Sequence, residues 1–118
     1  MSLELVAQLI EEKAYPQALA TLDPIMAEMP DDPKALFLFG QIMLESEKPA
    51  VAYHIFKTLS HIEPRRPQVW VNLGKTLDDL HRQEEAQQCY AKALKIDPSN
   101  IQATVNMSSS AVQMCNYD

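Results

Sequence analysis

Residues Trp70 to Pro98 read WVNLGKTLDDLHRQEEAQQCYAKALKIDP, and the spacing within this stretch decides the fold. Across Pro67–Leu80 the apolar side chains Trp70, Leu73, Leu77 and Leu80 recur every three or four residues, the period of an amphipathic helix. The polar run His81–Glu85 reads as a turn. Ala86, Tyr90, Ala93, Leu94 and Ile96 then form a second helical stripe. Asp97-Pro98-Ser99-Asn100 ends it, because proline removes an amide donor and restricts the residue before it. Gly74 and Ala86 are small where two antiparallel helices need to approach closely, and Trp70 and Tyr90 are large enough to fill the space beside them.

The same pattern returns outward from this stretch at a period of 34 residues. Pro30, Pro64 and Pro98 share that spacing, as do Ala18, Ala52 and Ala86. Leu22, Phe56 and Tyr90 fall in one column and Ile25, Leu59 and Ala93 in another. Gly40 aligns with Gly74, and Leu36 with Trp70. Pro33 and Pro67 open the next first helices, where a missing amide costs nothing. Internal repetition at this length marks stacked supersecondary units. The rows are 1–32, 33–66 and 67–100, with 101–118 beginning a fourth row or forming a capping helix. The first row is degenerate: Val6 replaces the glycine, and Pro24 falls inside the expected second helix, where it should kink the helix or break it in two.

The composition is consistent with this reading. A chain of 118 residues with a 47% hydrophobic and 22% charged make-up can bury one core. Only two glycines are available for tight hairpins. Ten basic residues against sixteen acidic give a net charge of −6, which opposes nucleic acid and anionic membrane surfaces. The longest apolar runs, such as Ala35–Phe39, are far short of a membrane span. No secretory signal opens the chain. Cys89 and Cys115 are far apart and form no CxxC, as expected of reduced thiols in a cytoplasmic protein.

Trp70 to Pro98 resembles a tetratricopeptide repeat almost column for column, in its Trp, Leu-Gly, Ala, Tyr, Ala and Pro; Leu77 stands where that family commonly has an aromatic. The row 33–66 keeps Gly40, Ala52, Phe56 and Pro64. The resemblance implies an all-α, right-handed superhelical solenoid of antiparallel helix pairs over residues 1–118, acting as a protein–protein interaction module. Such a module binds a peptide or partner helix in a concave groove lined by the first helix of each unit. The groove residues are then Leu3, Phe37, Val71 and Val105 in one column and Ala7, Gln41 and Lys75 in a second. Ile10, Leu44 and Asp78 form a third, flanked by Lys34, Gln68 and Asn72. Glu11, Glu45 and Asp79 edge one rim. The expected guest is a protein or peptide with apolar anchors and some basic residues, with Phe37 the foremost anchor; the column Leu3, Phe37 and Val71 has an equal second reading, as packing between successive units.

The chaperone-binding carboxylate clamp of some members of that family needs Lys, Asn and Arg at set positions. Here Leu3, Ala7, Leu38, Gln68 and Asn72 stand there, so no cationic fork faces the groove. Sliding the register by one unit gives Phe37, Gln41, Asn72, Gln102 and Asn106, with the same result.

Nothing in the chain reads as a catalytic, cofactor or metal site. His54 and His61 lie two turns apart on one helix face, and His81 does not complete a metal set with them. Asp78-Asp79 and Glu84-Glu85 are sequence neighbours that point in different directions on a helix. Arg65-Arg66 reads as a solvated loop pair, and Cys89 as a small buried hydrophobe. Ser108-Ser109-Ser110 lacks a glycine elbow, and no Gly-rich phosphate loop occurs. Asn116-Tyr117-Asp118 reads as the turn before a further helix, so the chain is expected to be a piece of a longer repeat protein. Val105, Met107, Val112 and Met114 would be left exposed at that end, available for self-association. Two other roles fit the same sequence: a substrate-recruiting N-terminal array of a larger enzyme such as a glycosyltransferase, and an oligomerisation scaffold.

Overall fold

The computed structural model describes residues 2–116. Seven helices follow one another: α1 (Leu3–Glu11), α2 (Tyr15–Glu28), α3 (Pro33–Glu45), α4 (Pro49–Ile62), α5 (Pro67–Asp79), α6 (Gln83–Ile96) and α7 (Ile101–Asn116). No strand occurs among the described residues. Each helix packs on the next, and α1, α3, α5 and α7 also approach in succession, whereas among the described residues the backbones of α2, α4 and α6 do not come close to one another. The result is an all-α helical-repeat solenoid, 46 × 26 × 22 Å in extent, with its first helices along the inner side.

Helix starts follow from local chemistry. Ser2, Asp32 and Asn100 accept hydrogen bonds from the free amides of Leu5, Ala35 and Ala103, at 3.3, 3.3 and 2.9 Å. Pro33, Pro49 and Pro67 open their helices where the absent amide has no role. The first helices of the three complete pairs end in the same closure. Lys13, Glu47 and His81, again 34 residues apart, take left-handed backbone with φ of 61°, 61° and 60°. The next residue's amide then donates to the carbonyl five positions earlier: Ala14 to Leu9 at 2.8 Å, Lys48 to Met43 at 2.9 Å, and Arg82 to Leu77 at 2.8 Å. Glycine ordinarily fills such a position because a Cβ there costs about 1 kcal/mol.

Within a pair, the separation is set by glycine against an aromatic ring. A Cβ on Gly74 would lie 2.4 Å from Tyr90 Cε1, and one on Gly40 would lie 2.8 Å from Phe56 Cζ. Tyr90 and Phe56 are completely buried there. In the first pair Val6 faces the smaller Leu22, both also completely buried. The first row's departure from the pattern is thus a volume exchange that keeps the core filled.

Three expectations are corrected. α2 runs unbroken through Pro24, so the helix is not divided in two. Pro24 and Ala20 are both exposed, so water can serve the Ala20 carbonyl that proline leaves without a donor. The turn expected over His81–Glu85 is shorter, because α6 begins at Gln83. Glu84 and Glu85 lie in its first turn, where carboxylates favour the positive end of the helix dipole. At the other end Asn116 belongs to α7 rather than to a turn; Tyr117 and Asp118 lie outside the described residues.

Glycine should therefore have opposite effects at two positions. Gly74→Ala lowers stability by about 1–3 kcal/mol despite its better helix propensity, because it overpacks against Tyr90. His81→Gly raises stability by about 1 kcal/mol by relieving the left-handed backbone. Urea unfolding of the two variants checks both signs.

Candidate functional site

The inner face is built from α3, α5 and α7. Between them lies a cleft of about 260 Å³ bordered by Glu45, Lys75, Asp78, Asp79, Asn106 and Ser109. Its floor is polar because of what the expected apolar column does instead. Val71 is completely buried, packed with Ala93 of α6 and Ala103 of α7. Phe37 is only 8% exposed; its ring stands edge-on to Phe56, with centroids 5.8 Å apart, and the Arg66 guanidinium covers its face at 4.1 Å. Ile10, Leu44 and Asn72 are likewise buried. The apolar stripe expected to grip a guest is instead the seam between successive units, and Phe37 is a core residue. Arg66 is correspondingly more than a solvated loop residue: it also pairs with Glu63 at 3.0 Å.

The remaining expected positions are accessible to differing degrees. Leu3, Ala7, Gln41, Gln68, Lys75 and Asp78 are half-buried, Lys34 is exposed, and Val105 is 54% exposed. The rim acids Glu11, Glu45 and Asp79 are exposed. Carboxamides provide the continuous feature. Gln68 donates from Nε2 to Asn72 Oδ1 within α5 and to Gln102 Oε1 on α7, both at 3.0 Å. Asn106 and Gln113 continue the amide-bearing surface along α7.

Asp78 has a role the sequence did not reveal. Its Oδ2 accepts from the Tyr90 hydroxyl and its Oδ1 from the Ser110 hydroxyl, each at 2.7 Å, so one carboxylate ties α5 to α6 and α7. The available signal was weak: Tyr90 is the one hydroxyl-bearing residue in the Leu22–Phe56–Tyr90 column, and a buried hydroxyl needs a partner. Burial, with help from Asp78, pushes the Tyr90 phenol upward. Partial withdrawal from water, then the Asp78 charge, raise the neighbouring Asp79 carboxyl; Lys75 pulls it down, and Glu45 adds a lesser upward push. On the outer side, burial pushes the Cys89 thiol up to about 11, so it stays protonated at neutral pH.

Among the described residues no cluster of His, Cys, Asp and Glu could hold a metal ion, and no helix is long and apolar enough to cross a membrane. At the chain's far end Val105 and Val112 stand exposed, while Met107 and Met114 are half-buried.

Stacked helix pairs with a polar inner groove define a helical-repeat module for protein interaction. Residues 11–93 match the family described as anaphase-promoting complex, cyclosome, subunit 3, and the chain belongs to that family, whose repeats are of the tetratricopeptide type. It is 30% identical over 86 residues to the peroxisomal targeting signal receptor of Kluyveromyces lactis, covering 73% of this chain and 15% of the receptor. It is 26% identical over 111 residues to the N-terminal acetyltransferase A complex auxiliary subunit NAA15 of Arabidopsis thaliana, covering 94% of this chain and 12% of that subunit. The chain thus spans only a small part of the length of these relatives. In fold it is similar to a thermophilic TPR protein of Thermus thermophilus, with a TM-score of 0.88 at 22% identity over 95% of this chain and 63% of that one. It is also similar to the first TPR of Spaghetti (RPAP3) bound to the HSP90 peptide SRMEEVD, with a TM-score of 0.85 at 19% identity, over 95% and 89% of the two chains.

The raised Asp79 carboxyl gives a test of the groove's charge crowding. The folded state holds that proton more tightly than the unfolded chain, so ionisation costs stability once the pH climbs through the ordinary aspartate range. Asp79→Asn should raise the urea midpoint at pH 7, and the gain should vanish as the pH falls below that range.

Proposed function

We propose that the inner groove holds an extended, basic segment of a partner protein mainly through the segment's backbone, and that the chain binds rather than catalyses. The observation that carries this reading is the row of accessible carboxamides on α5 and α7, Gln68 joined to Gln102 and followed along α7 by Asn106 and Gln113, with the buried Asn72 holding Gln68 in place. A carboxamide offers both a donor and an acceptor, which is what each peptide unit of an extended chain needs. The exposed Glu45 and Asp79 beside the cleft would receive Lys or Arg side chains. Phe37 and Val71, being buried, do not serve as anchors in this scheme; Val105 and the half-buried Leu3, Ala7 and Leu38 supply apolar surface instead.

The similar first TPR of Spaghetti is bound to a peptide, and the Kluyveromyces lactis relative is a receptor for a targeting signal, which supports a peptide guest. The HSP90 peptide is acidic at its end, and this chain has no cationic fork to match it, so a basic guest fits better. Two free thiols, Cys89 and Cys115, support a reducing, cytoplasmic setting.

The test is fluorescence anisotropy with a fluorescein-labelled hexapeptide, Lys-Leu-Lys-Ser-Lys-Leu. Asn106→Ala and the pair Glu45→Lys with Asp79→Lys should each weaken binding by about tenfold, and backbone N-methylation of the peptide should do the same. Equal binding by the N-methylated peptide would reject backbone recognition.

A second reading concerns the chain's end. Ile101, Val105 and Val112 on α7 are 76%, 54% and 61% exposed, and a second copy of this chain could cover them. Sedimentation equilibrium should then show a concentration-dependent mass that Val112→Glu abolishes; a constant monomer mass would remove this reading.

A further inference from the structure

On the side of α5 opposite the groove, α4 and α6 diverge and leave a cleft of about 630 Å³ floored by Trp70, Leu73 and Leu77. The repeat columns show why the space is there. Ser60 stands where α2 has Met26 and α6 has Leu94, and Cys89 stands where α4 has Ile55 and α2 has Thr21. Both small side chains line the cleft, Ser60 on the α4 wall and Cys89 on the α6 wall. Large residues recur in the Ser60 column, so the small side chains hollow this inter-unit seam.

The rim is cationic. Lys57 and Lys92 both reach the cleft, and the Lys92 ammonium lies 4.5 Å over the Trp70 ring. Glu85, the carboxylate at the rim, is engaged at two oxygens by Arg82, at 2.9 and 2.6 Å. Arg82 also covers the Tyr53 ring at 4.9 Å. With Glu85 neutralised, the two lysines leave a local positive charge on a chain whose net charge is −6.

We propose that this outer cleft is a second docking site, which takes a bulky apolar side chain flanked by carboxylates from an acidic segment of a partner protein. The apolar side chain enters between Ser60 and Cys89 onto Trp70 and Leu73, where it loses water-exposed area. The flanking carboxylates meet Lys57 and Lys92. The Cys89 thiol takes part only as a wall, since it stays protonated. The site is independent of the inner groove, which lies across α5 and carries the opposite charge at its edge.

Trp70 is the chain's one tryptophan, so its fluorescence reports on this cleft. The probe is an acetylated, amidated heptapeptide with a central Phe flanked by three Glu residues on each side. A saturable change in Trp70 emission is expected below about 1 mM peptide. It should weaken by about tenfold when Phe is replaced by Ala, and disappear when the Glu residues are replaced by Lys. The double variant Ser60→Leu with Cys89→Ile fills the cleft with residues that the same columns already carry, so it should keep its thermal midpoint yet lose the response. Lys57→Glu should lose it as well, whereas Asn106→Ala in the groove should not change it. Absence of a saturable response up to that concentration, an equal response to the Lys peptide, or an undiminished response in the filled, folded variant would each overturn the proposal.

Discussion

The contact between Gly74 and Tyr90 governs more of this molecule than any other. With a Cβ position only 2.4 Å from the Tyr90 ring, α5 can lie against α6 only because residue 74 has no side chain. The same constraint operates between Gly40 and Phe56. This close approach lets one bulky ring fill the layer between two helices, and it sets the rotation of each helix about its own axis. That rotation decides which residues of α5 face inward, outward and toward the next unit. Val6 opposite Leu22 shows that the constraint acts on summed volume rather than on glycine as such.

Stacking then follows from the surfaces the pairs present. Val71 packs against Ala93 of its own pair and against Ala103 across the seam to the next unit, a large residue against two small ones. Polar ties add direction to this apolar contact. Asp78 holds Tyr90 and Ser110 with separate oxygens, and Gln87 donates to the Met107 carbonyl at 2.7 Å. α7 is therefore fastened to the body by hydrogen bonds as well as by burial of Ala103. A half-satisfied carboxylate at this junction would be costly, and here both oxygens are used.

The fold was legible in the sequence because its signals are periodic: prolines, small residues and aromatics recur at one spacing, and each has a single geometric reason for doing so. The left-handed residues were not legible. Lys13, Glu47 and His81 share no chemistry that announces a positive φ; only the hydrogen bonds that close their turns force it. The expected groove columns divide in the structure between seam and cleft. The spacing placed Phe37, Val71, Lys75 and Asp78 on first helices, and the structure puts Lys75 and Asp78 beside the inner cleft. It also puts Phe37 and Val71 in the seams, because a helix position names a direction and not the neighbour that covers it. Asp78 read as a groove-column residue for the same reason, as its two hydroxyl partners lie 12 and 32 residues away. The outer cleft depends on a comparison of a different kind: the size of Ser60 relative to Met26 and Leu94 in its own column.

The opposite charges of the two faces follow from this geometry and have a consequence for binding. α5 is a shared wall, carrying Lys75, Asp78 and Asp79 toward the inner cleft and Trp70, Leu73 and Leu77 toward the outer one. Leu73 and Leu77 are almost completely buried, so a layer of packed hydrocarbon separates the faces. Charges on either side lie about one helix diameter apart, comparable to the screening length of roughly 8 Å in physiological salt. A basic segment in the groove and an acidic segment outside therefore attract each other through α5, more weakly as salt is added. Mechanical coupling between the faces would have to pass through packing, by rotation of α5 about its axis. The contact between Gly74 and Tyr90 opposes that rotation, so the contact that sets the faces also keeps them mechanically independent.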